Sequence, residues 1–235
     1  MLANAGHRLA HALAHLSDAH GVLQVPELRP TGIPESIREA VDRLTVGADP
    51  SAPVLSECWG EPGLSPAERL FAWNTVEVLD FLCGDPDAPV GAIPGRAHAD
   101  LQARFVASID PSEIVPAISR HLDAGGFSDV SVTERGHMAA TRMDPGHPWA
   151  VWVRDSVSAT TGQDTMVIPN LAGTIPNESF AEVLGMPTIW LPHSYPGCAQ
   201  HAPDEHALAS LSRQAMEIMA GLYWDLGHGE IPVER

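Results

Sequence analysis

The 235-residue sequence contains no lysine: its 13 basic side chains are all arginine, set against 30 aspartates and glutamates, for a formal net charge of −17. A surface this acidic repels phosphate backbones and anionic headgroups, so neither nucleic acid nor a membrane is an expected partner. Cysteine is sparse as well. Cys58, Cys83 and Cys198 are odd in number and form no CxxC pair, which argues against a disulfide framework and for a reducing compartment. No apolar run reaches the length of a membrane-spanning helix, and the start lacks the charged-then-apolar pattern of a signal peptide. The cytoplasm is the expected location. No internal repeat or low-complexity tract is visible.

What is present suits a soluble protein with a real core: 44% hydrophobic and 18% charged residues. Glycine and proline number 20 and 21, so loops should be plentiful. Residues 4–20 read as a helix with Leu9, Leu13 and Leu16 on one face and Gly21 as its stop. Residues 24–72 hold seven of the prolines and read as an irregular insertion, with short helices expected near Pro34–Leu44 and Ser65–Phe71. Asn74–Cys83 and Ala97–Ala107 read as strands. Asp110, Pro111 and Glu113 resemble a capping box opening a helix with Ile114, Ile118 and Leu122 buried; Gly125-Gly126 should end it. Phe127–Thr133 reads as a third strand. This order describes a compact α+β unit.

The second half alternates helix and strand, which suggests part of a layered α/β domain. Helices are expected over Pro148–Thr160, Ser179–Leu184 and Pro203–Leu226, and strands over Thr165–Ile168 and Pro187–Leu191. Asp204 and Glu205 would occupy the first turn of the last helix, where they complement its dipole.

The stretch Leu191–His206 is the richest in chemistry. It carries His193, His201 and His206 between a strand end and a helix start, the usual position for a site in an α/β sheet. Imidazoles and a carboxylate could together bind zinc. The plainer reading of His193 and His206 is as hydrogen-bonded or surface loop residues. His7, His11 and His15 repeat every four residues and share a helix face. Without a third kind of ligand, that face reads as solvated. Cys198 reads as a small buried residue, and Ser194 has no Gly-x-Ser-x-Gly context.

Pro192–Glu205, with Asn170–Phe180 upstream and Ala220–Leu226 at the close, resembles the C-terminal part of the zinc aminoacylase family. That family includes acetylornithine deacetylase, succinyl-diaminopimelate desuccinylase and carboxypeptidase G. Ala72–Val132 is similar to its lid, or dimerisation, domain. The resemblance implies two domains, a lid over 1–135 and the C-terminal part of a layered α/β zinc-peptidase domain over 136–235. It implies hydrolysis of an amide bond in a small N-acyl amino acid or peptide, with two zinc ions activating a water and a glutamate as general base.

By resemblance His201, before Ala202-Pro203-Asp204-Glu205, is a zinc ligand, and Arg104 grips the substrate carboxylate. A bidentate guanidinium suits that task. Gly173 and Thr174 match the family's Gly-Gly-Thr turn at the substrate pocket, with Ala172 in place of the first glycine. Gly91, in Pro89-Val90-Gly91-Ala92-Ile93-Pro94, stands where the family has an asparagine. Losing a donor to the transition state costs about 2–4 kcal/mol. The family's His-x-Asp and Glu-Glu pairs precede the lid, so they and the general base are expected upstream of Met1. With one ligand of five, this chain is expected to be a fragment inactive by itself, or a non-catalytic binding or dimerisation module. A homodimer through the lid is expected.

Overall fold

The computed structural model describes residues 2–47, 54–88, 90–171, 173, 175–229 and 231–232. Six α-helices are present among these: α1 Ala5–Leu16, α2 Glu35–Val41, α3 Pro66–Ala72, α4 Ile114–Ala124, α5 Pro148–Thr161 and α6 Ala209–His228. Two strands, β1 Thr75–Cys83 and β2 Ala97–Arg104, form an antiparallel sheet. The fold is mixed α and β. No described helix is long and apolar enough to cross a membrane. The chain divides into two compact units.

The first unit comprises Met1–Ile33, Glu57–Thr141 and Ala172–Ile175. Asn4 caps α1 by accepting the His7 N–H at 3.1 Å, and Leu9, Ala12 and Leu16 are buried along one stripe. The helix ends at Leu16, short of Gly21. The cause is Asp18, whose carboxylate accepts the backbone N–H groups of His20 and Val22 at 2.8 and 3.0 Å. Such local side-chain bonds compete with the helical ladder. The chain then folds back, and Ser17 pairs with Leu23.

Leu16, Leu23, Val25 and Leu28 meet Ile114, Ala117, Ile118 and Leu122 of α4 in one core. Val76 of β1 and Leu101 and Ala103 of β2 pack on it. Asn74 is buried and bridges two segments. Its Nδ2 donates to the Leu28 carbonyl at 2.7 Å, and its Oδ1 accepts the Val106 N–H at 2.8 Å.

Phe127–Thr133 is not a strand. Phe127, Val130 and Val132 do pack against the core, so the apolar alternation marks burial, not ladder pairing. Asp110 bonds Ser112, and Glu113 pairs with Arg120 instead of closing a capping box. The reciprocal box lies at Ser65 and Glu68, opening α3.

The second unit comprises Pro34–Ser56, Arg142–Leu171 and Pro176–Arg235. Ile37 and Val41 of α2 are fully buried, so a proline-rich stretch that reads as irregular in the sequence contributes to a core. His147 caps α5 through its Nδ1, and Gly162 ends it in the left-handed region at φ 67°. Neither Thr165–Ile168 nor Pro187–Leu191 forms a strand. Ser179–Val183 makes one wide helical turn. The last helix starts at Ala209, six residues after Pro203, and its buried positions are Ala215 and Leu222.

Candidate functional site

The later start of α6 changes the surroundings of His201. Asp204 and Glu205 stand outside the helix, so His201 does not sit at the N-terminus of α6. Instead Pro196–Cys198 makes one 3₁₀ turn, and Ala199, His201 and Asp204 all have positive φ, at 56°, 62° and 65°. Three non-glycine residues in the left-handed region form a strained run of a kind found at functional loops. Backbone bonds hold it: Ala202 N–H to the Ala199 carbonyl at 2.9 Å, and His206 N–H to the Cys198 carbonyl at 3.0 Å. The His201 N–H donates to the Glu205 carboxylate at 3.2 Å. Cys198 is buried beneath, as expected for a small apolar residue.

The three histidines of this loop do not converge. His206 has both ring nitrogens engaged, Nδ1 with the Asp204 carbonyl at 2.9 Å and Nε2 with the Tyr195 hydroxyl at 2.7 Å. A carbonyl only accepts, so Nδ1 carries the proton and Nε2 takes the Tyr195 hydroxyl proton. No lone pair remains for a metal. Among the described residues, neither His193 nor His201 belongs to a three-ligand group. Catalytic zinc takes three protein ligands, so the donors around His201 in this chain do not by themselves fit that ion.

Arg104 closes β2 opposite Thr75. Its Nε donates to Gln102 Oε1 at 3.1 Å. Strand alternation puts Arg104, Gln102, Asp100 and His98 on one face, and Ala103 and Leu101, which pack on the core, on the other. Arg104 thus has a rigid base and an exposed head. Gly173 is an exposed bend in the first unit. Thr174 lies outside the described residues, as do Ala172 and Pro89. Gly91 is exposed, with open space where a side chain would stand.

His7, His11 and His15 line an open groove of about 450 Å³ with Asn4, Arg8 and Phe127. Arg8 is committed elsewhere: it ion-pairs with Asp129, bonds the Gly126 carbonyl at 2.7 Å and lies over the Phe127 ring. His15 stacks on His121 at 4.3 Å between ring centroids. His15 is therefore a packing residue between α1 and α4, not part of a solvated stripe.

A constellation that the motifs did not point to sits on the sheet. Ligand atoms of Asp80, His98 and Asp100 all lie within 4.8 Å of one another. A sequence signal for it exists, because His98-Ala99-Asp100 has the His-x-Asp spacing. On a strand that spacing puts both side chains on one face. The same spacing recurs at His121-Leu122-Asp123, where it falls on α4.

No protein-family model and no curated protein matches this sequence. Solved structures do. The M20 family metallo-carboxypeptidase Sso-CP2 from Sulfolobus solfataricus matches with a TM-score of 0.73 at 22% identity, over 94% of this chain and 52% of that one. Human carnosine dipeptidase 1 matches with a TM-score of 0.69 at 14% identity, over 94% and 48%. The di-peptidase Dug1p from Saccharomyces cerevisiae matches with a TM-score of 0.62 at 17% identity, over 92% and 47%. The chain spans about half the length of these structures, and at such identities the likeness is one of fold. It bears out the resemblance read from the motifs: this chain has the fold of about half of an M20-type metallopeptidase.

Proposed function

We propose that this chain is the C-terminal portion of a zinc-dependent hydrolase that cleaves amide bonds in N-acyl amino acids or small peptides. The observation that carries the reading is coverage. Nearly all of this chain, 94%, superposes on about half, 52%, of a metallo-carboxypeptidase. Two further neighbours are named as dipeptidases. The motif order adds support, with the arginine-ended strand first, then Gly173-Thr174, then the His201 loop.

In this reading His201 supplies one ligand of a two-zinc centre, and the other ligands and the general base come from sequence outside this chain. Arg104 binds the substrate carboxylate from the end of a rigid strand. Gly173 and Thr174 line the substrate pocket with backbone groups. A complete two-zinc centre would supply Lewis-acid polarisation of the amide carbonyl and an activated water. The lid is drawn from 1–135 and the peptidase portion from 136–235, with Pro34–Ser56 packed into the second compact unit, and the protein acts in the cytoplasm. A homodimer forms through the edge of the β1–β2 sheet, where backbone groups can pair across a two-fold axis.

The test is the reading frame. Translation upstream of Met1 should show a His-x-Asp pair and a Glu-Glu pair, and an extension with neither overturns the catalytic reading. A second reading, a non-catalytic dimerisation or binding module, is favoured by the incomplete donor set at His201 and by Gly91. Calorimetry on the natural gene product that contains this chain separates the two readings: tight zinc binding that is lost in His201→Ala refutes the module.

A further inference from the structure

We propose that Asp80, His98 and Asp100 form a divalent transition-metal site on the face of the β1–β2 sheet away from the helices. The argument begins with register. Val76 pairs with Ala103 and Val78 with Leu101, but Asp80 pairs with Asp100 because Leu79 is an extra residue in β1. A one-residue bulge of this kind switches the face on which the following side chains stand. Without it, Asp80 would oppose Ala99 and share the core-side face of Leu101. With it, Asp80 stands directly across from Asp100 and diagonal to His98, which pairs with Leu82. The bulge therefore assembles the three ligands.

The charges point the same way. Two carboxylates directly opposite on a ladder repel each other. Near them stand one imidazole and one exposed arginine. His98 Nε2 is 3.6 Å from Asp80 Oδ2, beyond a good hydrogen bond, and Arg135, itself 77% exposed at its side chain, reaches Asp100 Oδ1 at 3.0 Å. One imidazole and two carboxylates are the mixed donor set that zinc and its first-row neighbours accept. All three project from a paired ladder, so little ordering is needed on binding. Solvent fills the remaining coordination positions.

The experiment uses the whole chain, stripped with a chelator and titrated with zinc by calorimetry. Cobalt(II) absorption serves as a second readout of ligand geometry. One ion should bind per chain. His98→Ala and Asp80→Asn should each weaken it by about a hundredfold, since even losing a hydrogen bond to a ligand costs about 10–100-fold. Circular dichroism verifies folding, and His98→Gln replaces the alanine variant should that one unfold. Arg135→Ala should tighten binding several-fold by removing the competitor for Asp100, and unchanged affinity there would strike Asp100 from the ligand set and overturn the site. His201→Ala should leave binding intact. Absence of saturable binding, or equal binding by His98→Ala and Asp80→Asn, overturns the site. Loss only in His201→Ala overturns it while leaving the proposed hydrolase reading standing.

Discussion

Gly221 of α6 lies so close to α5 that an added methyl group would overlap Thr160 Oγ1 and sit 3.1 Å from its Cγ2. One turn further along α6, Asp225 accepts a hydrogen bond from Ser156 of α5 at 2.6 Å. The two contacts seat Gly221 and Asp225 of the Ala220–Leu226 motif against α5, while Tyr223 and Trp224 of the same motif are exposed. Gly221→Ala should destabilise the fold by about 1–3 kcal/mol through overpacking. Thr160→Gly in the same chain should recover part of the loss. Urea denaturation of both variants measures this, and a stable Gly221→Ala single variant would contradict the packing.

Asn74 predicts a similar loss by a different route. Its amide satisfies a buried carbonyl of Leu28 and the N–H of Val106. Asn74→Ala leaves both without a partner, and an unsatisfied buried group costs about 1–3 kcal/mol. Asn74→Asp should restore the bond to Val106 but not the one to Leu28. Chemical denaturation should therefore rank wild type above Asn74→Asp and Asn74→Ala.

Acid should unfold the protein through a few identifiable carboxylates. A hydrogen bond from Arg8 holds Asp129 below the usual carboxylate range. Asp18 is lowered by the backbone N–H groups of Val22 and His20, Asp110 by Ser112, and Asp144 first by Ser36 and then by the Gly146 N–H. Each folded pKa is depressed, so its contribution is complete above the unfolded value of about 3.9 and is lost as pH falls through the folded value. The thermal midpoint should be flat near neutrality and fall below about pH 4. Asp129→Asn should make that fall shallower, and an unchanged acid limb would contradict the assignment.

Oligomeric state is checked by light scattering. The sheet-edge dimer predicts about twice the chain mass. A monomer at every concentration would remove the dimer from the account.

The sequence revealed some layers better than others. Helix α5 and strands β1 and β2 were legible because their periodicity and caps agree with their packing. At Phe127–Thr133 the apolar alternation marks packing on the core and not backbone pairing, whereas at Thr165–Ile168 and Pro187–Leu191 the apolar residues Met166, Ile168 and Trp190 are exposed and mark neither a strand nor a core. The short helix expected near Pro34–Leu44 is present as α2, and what its proline-rich surroundings conceal is only that Ile37 and Val41 are fully buried. Pro203, Asp204 and Glu205 mimic a first helical turn, but Asp204 takes a left-handed conformation and α6 begins only at Ala209. At the site, residue types named His201 and Arg104 but could not show their surroundings. The Asp80–His98–Asp100 group was hidden because it depends on a bulge at Leu79, and a one-residue register shift leaves no mark in the pattern.

The central claim is that the His201 loop belongs to a zinc amide hydrolase. Its most direct test assays the natural gene product that contains this chain, with zinc, against dipeptides and N-acetyl amino acids, alongside the His201→Ala variant. The account predicts amino acid release by the wild type and a fall of about a hundredfold or more in His201→Ala, with zinc content reduced in step. Equal turnover by the two proteins, or no hydrolysis of any such amide by the wild type, would contradict it.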